Sequence, residues 1–168
     1  DRAIDFLVGA CLRDGRLFAT WSNGRARYAG YLDDYANLLA GLLAALEARW
    51  RASDIELAIE LAETLLTSFF DADAGGFFFT AHDHETLIHR PKPTLDDALP
   101  PGNATAVTAL LQLGHLLGEP RYLEAAEKTL AWARSGIEQQ PSGHCALLGG
   151  IEAECYPPEQ VIIRGPAN

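Results

Sequence analysis

The chain has 168 residues, of which 48% are hydrophobic and 21% charged, enough apolar material for one buried core and too little chain for two ordinary domains. Thirteen basic and twenty-three acidic side chains give a net charge of −10, so we expect no nucleic-acid partner, because a phosphate backbone would meet a repelling surface. The longest strongly apolar stretch, residues 38–46, is far shorter than the roughly 20 residues that cross a bilayer, so we expect no membrane span.

The predicted elements of the first half alternate between helices and extended runs. Residues 3–12 predict the end of a helix, and residues 15–30 predict a β-hairpin around an Asn-Gly turn. A helix is expected over residues 32–50, and because its middle is apolar all round we expect it to have no solvent face. Residues 54–70 predict a second helix, with one apolar stripe and one polar face.

A similar order of elements returns in the second half. Residues 77–80 predict a strand. After a long loop, a mostly apolar helix is expected over residues 103–117, followed by an amphipathic helix over residues 121–134. A short helix over residues 142–153 and a terminal strand over residues 160–164 complete the prediction. This self-similarity is typical of stacked helical hairpins.

Two regularities in this order define an architecture. Helices that are apolar throughout alternate with amphipathic ones, which predicts an all-α array of helical hairpins in an inner and an outer layer, with short β-hairpins in the long loops. Links from inner to outer helices are short, whereas links from outer to inner helices have about 17 and about 30 residues, against the usual 2 to 8. We therefore expect the long loops, the N-termini of the inner helices and the functional site on one face.

Four carboxylates on this face are the candidate catalytic acid and base groups. Asp33 and Asp34 begin the first inner helix, and a carboxylate that is partly shielded in a cleft can have its pKa displaced toward the working pH. The alternative is that an aspartate in a first helical turn caps free N–H groups. Because adjacent helical residues point about 100° apart, the two can divide these roles. The second long loop supplies Asp96 and Asp97.

Residues that would bind a ligand are expected on the same face. Arg90 and Lys92 form a positive pair that would grip a carboxylate or a sugar phosphate, or else anchor the loop through a salt bridge to Asp96 or Asp97. Aromatic planes suit the C–H faces of a sugar ring, although packing of the hairpins onto the helix ends requires the same residues. As the N-cap of its helix, Asn103 would rim the cleft. The candidate substrate-binding residues are Trp21, Tyr31, Tyr35, His84, Arg90, Lys92 and Asn103.

We expect neither a metal nor a cofactor. His82 and His84 have the H-x-H spacing that begins a metal site, but no third ligand is spaced to complete it. The chain has no Gly-rich phosphate loop, no nucleophile elbow and no CxxC pair. Its three cysteines are widely spaced and odd in number, which predicts free thiols and a reducing, cytoplasmic location.

An ordered set of motifs resembles one known family over nearly the whole chain. The motifs are G-Y-L-D-D-Y-A at residues 30–36, G-G-F-F at 75–78, R-P-K at 90–92 and P-P-G-N at 100–103. They resemble the C-terminal helical region of the thioredoxin-domain-containing proteins related to the spermatogenesis-associated thioredoxin-like protein. In that family a thioredoxin-like domain precedes a helical domain similar to the six-hairpin glycosidases and the N-acylglucosamine 2-epimerases. One departure is Pro101, which stands where the family usually has a serine.

The resemblance implies an (α/α)6 toroid, of which residues 1–168 would form a single partial domain, roughly half a ring, within a longer chain. Helix faces left exposed by a partial ring predict contacts with the remainder of its own chain or with a second copy. The expected function is that of a carbohydrate-active domain of the glycosidase or sugar-epimerase type, with a sugar as ligand. The alternative is a non-catalytic helical scaffold that binds a peptide or a partner domain.

Overall fold

A computed structural model describes residues 2–84, 87–157 and 159, and these residues are mainly helical. The predicted terminal strand over residues 160–164 lies outside them. Among the described residues, no helix is both long enough and apolar enough to cross a membrane. The helices are α1 (Arg2–Cys11), α2 (Leu32–Ala48), α3 (Ala52–Thr64), α4 (Gly102–Leu117), α5 (Pro120–Gln139) and α6 (Cys145–Cys155). The strands are β1 (Leu12–Arg13), β2 (Arg16–Ser22) and β3 (Arg25–Ala29).

The helices from α2 onward form two layers. Helices α2, α4 and α6 pack side by side with α4 in the middle, while α3 packs on α2, and α5 packs on α4 and α6. The core lies between the layers, where leucines such as Leu39, Leu42, Leu110 and Leu113 are completely buried. The predicted alternation of inner and outer helices is therefore confirmed, with α3 and α5 as the outer layer.

The short inner-to-outer link between α4 and α5 is specified by its residues. Gly118 ends α4 in the left-handed conformation, with φ of 68°, which glycine adopts without steric cost. The side chain of Glu119 then accepts a hydrogen bond from the backbone N–H of Arg121, and Pro120 occupies the first position of α5. Two helices can thus reverse direction within a very short connection.

The expectation that α2 has no solvent face is wrong. Leu39 and its neighbours on one side are buried, but Asn37, Gly41, Ala44 and Ala48 are exposed along the opposite side. Small residues keep the helix apolar on average while offering little side-chain area to bury. Average hydrophobicity therefore overstated how much of this helix is enclosed.

The expected strand over residues 77–80 is also wrong. Phe77 forms a single isolated bridge with Phe70, and no ladder follows. The backbone N–H of Phe77 instead donates to the side chain of Asn103, and that of Phe79 donates to the carbonyl of Pro91. Because these backbone groups are paired in other ways, the segment needs no neighbouring strand.

The predicted β-hairpin is present and is extended by the short strand β1. Strands β2 and β3 are antiparallel around the turn at Asn23 and Gly24, both of which have positive φ, as tight hairpin turns require. The β1–β2 turn uses Asp14 and Gly15 in the same way. The paired residues of β2 and β3 are Phe18 with Ala29, Thr20 with Arg27, Trp21 with Ala26, and Ser22 with Arg25.

Both long loops meet at one end of the helical array, as predicted. The backbone N–H of Leu32 donates to the carbonyl of Phe79 at 2.9 Å, so the second loop lies against the start of α2. Arg16 of the hairpin forms an ion pair with Asp83 of the second loop. We call this end the loop end. The third outer-to-inner link, between α5 and α6, is short.

Candidate functional site

A cavity of about 440 Å³ opens at the loop end. It lies between the β2–β3 hairpin, the end of the outer helix α3 with the π-helical turn that follows it, and residues 81–84. We call it the loop-end cavity. Its lining includes both aromatic rings and polar side chains, namely Arg16, Phe18, Tyr35, Ser68, Phe69, Asp83 and His84.

An ion pair joins the two loops across this cavity. The guanidinium of Arg16 donates to the carboxylate of Asp83. This hydrogen bond and the positive charge lower the pKa of Asp83 below its usual range, so that the carboxylate stays charged at neutral pH. Both side chains are substantially exposed, so the pair contributes little to stability, but it fixes a charge of each sign at the cavity.

Tyr35 presents its phenol to the cavity. The side chain is almost fully buried and packs on Phe69, with 5.2 Å between ring centroids. Its Oη accepts a hydrogen bond from the backbone N–H of Leu17 at 2.9 Å, which leaves the O–H free to donate. Burial raises the pKa of Tyr35, so the phenol keeps its proton.

His84 provides a second polar group. Its Nδ1 is buried and, among the described residues, has no hydrogen-bond partner. The ring lies 5.7 Å from that of Tyr31, between centroids. A buried polar atom without a partner is costly unless a ligand or water satisfies it. Together with the hydroxyl of Ser68, His84 gives the cavity groups suited to binding hydroxyls.

The predicted catalytic pair Asp33 and Asp34 instead holds backbone groups. Oδ1 of Asp33 accepts from the N–H of Gly102 at 2.9 Å, tying α2 to α4, and burial raises the pKa of this carboxyl. Oδ2 of Asp34 reaches back to the N–H of Tyr31 at 2.8 Å and so helps to cap α2. Neither side chain is among those that line the loop-end cavity.

Asp96 and Asp97 do not join the cavity either. Oδ2 of Asp96 accepts from the backbone N–H of Ala146 at 3.1 Å, in the first turn of α6. Its Oδ1 is buried and has no hydrogen-bond partner within the described ranges. Asp97 is exposed. The four candidate catalytic carboxylates are thus not gathered around one described cavity.

The positive pair of the second loop is engaged within the fold. Arg90 donates to the hydroxyl and carbonyl of Thr80, and its guanidinium lies 4.1 Å from the ring centroid of Phe78. Lys92 pairs with Asp71 at 2.8 Å and lies 4.5 Å from the ring centroid of Trp132. The expected salt bridges to Asp96 or Asp97 are therefore wrong, because the loop folds back toward the end of α3 and onto α5.

Asn103 is completely buried, so the expectation that it rims the cleft is wrong. Pro101 occupies the N-cap position, and Asn103 lies inside the first turn of α4. Its Oδ1 accepts from the N–H of Phe77 at 2.7 Å, and its Nδ2 donates to the carbonyls of Phe77 and Pro93 at 2.9 Å each. The amide of Asn103 therefore hydrogen-bonds the backbone of the second long loop.

Of the candidate ligand-binding residues, only Tyr35 and His84 line the loop-end cavity. Tyr31 stacks on Phe79 with 4.8 Å between ring centroids, and Trp21 packs edge-on against Phe6. Sequence reasoning missed Arg16, Ser68 and Asp83. Asp83 lies between His82 and His84, and that position is a sequence signal that could have identified it as a site residue. No local sequence pattern identifies Ser68, which follows the outer helix α3.

A second, smaller cavity of about 230 Å³ lies on the inner layer. It runs along the exposed side of α4, between α2 and α6, and its lining is small or uncharged. Thr105, Thr108 and Gln112 supply its polar groups. It offers no charged side chain to a ligand.

Among the described residues, no cluster of three or more His, Cys, Asp or Glu side chains could hold a metal ion. His82 and His84 therefore have no third ligand within those residues. The three cysteines are free thiols, as predicted. Cys11 is buried, whereas Cys145 and Cys155 are exposed.

The two helical layers and the loop end define the class of protein, a helical-hairpin array of the (α/α)6 toroid type. The structure is similar to cellobiose 2-epimerase from Spirochaeta thermophila DSM 6192, with a TM-score of 0.62 and 24% sequence identity. The match covers 80% of this chain and 36% of that one. The predicted fold class is therefore confirmed. No family model matches the chain.

The homologues in sequence are proteins named spermatogenesis-associated protein 20. The rat protein is 28% identical and the human protein 27% identical, each over 137 residues. These matches cover 81% of this chain but only 17% of either relative, so the chain spans about a sixth of their length. The resemblance that the four motifs indicate is confirmed. The chain thus has a fold of the (α/α)6 toroid type and is similar in sequence to these proteins.

Proposed function

We propose that this chain belongs to a carbohydrate-active helical domain and that the loop-end cavity binds the sugar. One observation carries the proposal: a cavity of about 440 Å³ combines aromatic faces with a phenol, a hydroxyl, an imidazole and an ion pair. Ligand sites of roughly 300 to 1,000 Å³ with this kind of mixed lining suit small molecules. The name of the structural neighbour, an epimerase of the disaccharide cellobiose, supports a sugar as the ligand.

Binding would use two kinds of contact. The half-buried ring of Phe18 offers apolar surface to the C–H face of a sugar. The O–H of Tyr35 donates to a sugar hydroxyl, while the hydroxyl of Ser68 and the imidazole of His84 complete the polar contacts.

Of the two reaction types expected, this proposal favours epimerisation over glycoside hydrolysis. Hydrolysis needs a protonated carboxylic acid and a second carboxylate about 5 to 9.5 Å away. Because Arg16 lowers the pKa of Asp83, that group is a poor proton donor at neutral pH. Epimerisation next to a carbonyl needs one group that removes a proton and a proton donor on the opposite face of the resulting carbanion, and imidazole is suited to the removal. His84 is the residue we assign to that step.

The test is to block the cavity. Ala81→Leu places a larger side chain in the lining, and Ala131→Leu makes the same change on the exposed side of α5. We expect the unmodified protein to bind cellobiose or glucose in a calorimetric titration, Ala81→Leu to weaken that binding at least about tenfold, and Ala131→Leu to leave it unchanged. Absence of binding, or full affinity in Ala81→Leu, would contradict the proposal.

A second candidate is the non-catalytic scaffold, and one observation favours it. Asp34, Lys92 and Asn103, which would have formed a site, are engaged in hydrogen bonds that hold loops and helix ends. On this alternative neither sugar binds, and a peptide or partner domain contacts the loop end. Chemical-shift mapping with cellobiose, with glucose and with a peptide or partner domain separates sugar binding from the scaffold role.

A further inference from the structure

One face of the β2–β3 hairpin lines the loop-end cavity near the base of the hairpin and lies outside the cavity nearer the turn. Phe18 of β2 lines the cavity together with its paired residue Ala29. Side chains alternate along a strand, so Thr20 and Ser22 lie on the same face as Phe18, at successive steps of about 6.6 Å. The hairpin therefore carries this face from the cavity toward the turn at residues 23–24.

Two arginines stand on that face. Directly paired residues of two strands lie on the same side of the sheet, so Arg27, opposite Thr20, and Arg25, opposite Ser22, share the face that lines the cavity. Arg27 is one step outward from the lining pair and Arg25 is two. An arginine side chain extends about as far as one such step, which places the Arg27 guanidinium within reach of the cavity mouth.

The charges of these two arginines are open to a ligand. Both are exposed, and no described carboxylate lies within ion-pair distance of either. Within the cavity, Arg16 is paired with Asp83, and Asp14 is a further carboxylate in the lining. The protein as a whole carries a net charge of −10, so two unpaired positive charges at a cavity mouth run against its general electrostatic character.

We propose that the sugar bound in the loop-end cavity carries an anionic group, a carboxylate or a phosphate, and that Arg27 binds that group while the ring occupies the cavity, with Arg25 one step further out adding positive charge to the same face. The planar guanidinium matches both anions through paired N–H donors. This inference rests on the proposed function, because it specifies the ligand of the same cavity. The competing explanation is that the arginines only protect the edge of β3 from pairing with another chain.

The experiment compares matched sugars. Glucose, glucuronate, glucose 6-phosphate and inorganic phosphate are titrated separately into the protein at low salt and again in 0.5 M NaCl, a condition of about 4 Å screening length. We expect at least one anionic sugar to bind about tenfold or more tightly than glucose at low salt, with this preference reduced at high salt and the affinity for glucose unchanged. Whether glucuronate or glucose 6-phosphate binds more tightly identifies the anionic group.

Variants assign the preference to the two arginines. Arg27→Gln, alone and with Arg25→Gln, is expected to reduce the affinity for the anionic sugar about three- to tenfold and to leave that for glucose unchanged, which also shows that the cavity is intact. Lys128→Gln removes the same charge from the exposed side of α5 and is expected to have no effect. Asp83→Asn releases Arg16 from its carboxylate and is expected to strengthen binding of the anion.

The outcomes separate this inference from the proposed function. Equal affinity for glucose and the anionic sugars, or a preference that survives both arginine substitutions, overturns the inference and leaves sugar binding in place. Phosphate alone binding as tightly as glucose 6-phosphate also overturns it, because the ring would then contribute nothing. Failure of every sugar to bind overturns both.

Discussion

The buried side-chain amide of Asn103 forms backbone hydrogen bonds that a neighbouring strand would otherwise supply. Three of its hydrogen bonds, to Phe77 and Pro93, tie the second long loop to the start of α4. An amide suits this position because it both donates and accepts, whereas a carboxylate only accepts when charged. The loop therefore keeps its backbone groups paired without joining a sheet.

Replacing this amide should be costly. Asn103→Ala leaves a buried N–H and two carbonyls without partners, and we expect the free energy of unfolding to fall by about 2 to 4 kcal/mol. Asn37→Ala, on the exposed side of α2, is the matched control and should change it by no more than about 0.5 kcal/mol. Urea denaturation measures both, and equal effects of the two substitutions would contradict the assigned role.

Asp33 gives a prediction with a definite pH dependence. Because burial raises its pKa in the folded protein, its ionisation disfavours folding, and the stability present at low pH is lost as the pH rises through the folded pKa. Asp33→Asn keeps an acceptor for the N–H of Gly102 and removes the charge. We expect Asp33→Asn to match or exceed the unmodified protein in stability at pH 7, by up to about 1 kcal/mol, with the difference vanishing in acid.

Denaturation at a series of pH values tests this prediction, with Asp97→Asn as an exposed control. A stability gap that widens in acid would show that the sign is wrong. Loss of sugar turnover in Asp33→Asn without loss of stability would return Asp33 to a catalytic role.

At the scale of elements, the turn at residues 71–76 decides how the second loop docks on α5. Gly75 and Gly76 both have positive φ, of 80° and 81°. A Cβ on Gly75 would come within 2.5 Å of the carbonyl oxygen of Lys128, and one on Gly76 within 2.6 Å of the ring of Trp132. The absence of a side chain therefore permits the close approach of loop and helix.

Two glycine-to-alanine changes should have opposite signs. Gly76→Ala combines a strained backbone with a clash and is expected to destabilise the protein by more than about 2 kcal/mol. Gly41→Ala lies in the interior of α2, where a Cβ meets nothing within 4 Å, and is expected to stabilise it by about 0.5 to 1 kcal/mol. Thermal unfolding followed by circular dichroism measures both shifts, and a shift of the same sign in both variants would refute this reading of the two sites.

At the scale of the whole molecule, α4 is the central element, since α2, α5 and α6 all pack on it. Three neighbours explain why α4 carries many completely buried residues, Leu110 and Leu113 among them. Loss of packing around α4 therefore destabilises both layers.

Truncation of the centre of α4 should destabilise the whole array. Leu110→Ala is expected to lower the free energy of unfolding by about 2 to 5 kcal/mol, because it leaves a cavity in the core, whereas Leu117→Ala at the exposed end of α4 should cost less than about 1 kcal/mol. Denaturation followed by tryptophan fluorescence and by circular dichroism should give coincident transitions in Leu110→Ala. Separate transitions would mean that the two layers unfold independently.

Several features of the fold could be predicted because they depend on short-range patterns. The Asn-Gly turn specifies the hairpin, and the apolar periods of α4 and α5 specify an inner and an outer helix. The segment at residues 77–80 was misassigned because a run of phenylalanines favours a strand, whereas a buried amide 26 residues away decided its conformation.

The candidate site could be predicted only in part. Tyr35 and His84 line the loop-end cavity, whereas Asp33, Asp34, Lys92 and Asn103 hold the backbone or the loop. The sequence does not predict Arg16 and Ser68 as lining residues. Residue type and proximity in sequence show which groups are chemically capable. They do not show which groups the fold uses for its own hydrogen bonds.

The sequence by itself determined the helical hairpins, their two kinds of face and the gathering of long connections at one end, because periodicity and turn chemistry act over a few residues. Only the tertiary structure decided which polar side chains face open space. That choice depends on contacts between residues far apart in the chain, such as Arg16 with Asp83 and Asn103 with Phe77, and on which backbone groups would otherwise remain buried without partners.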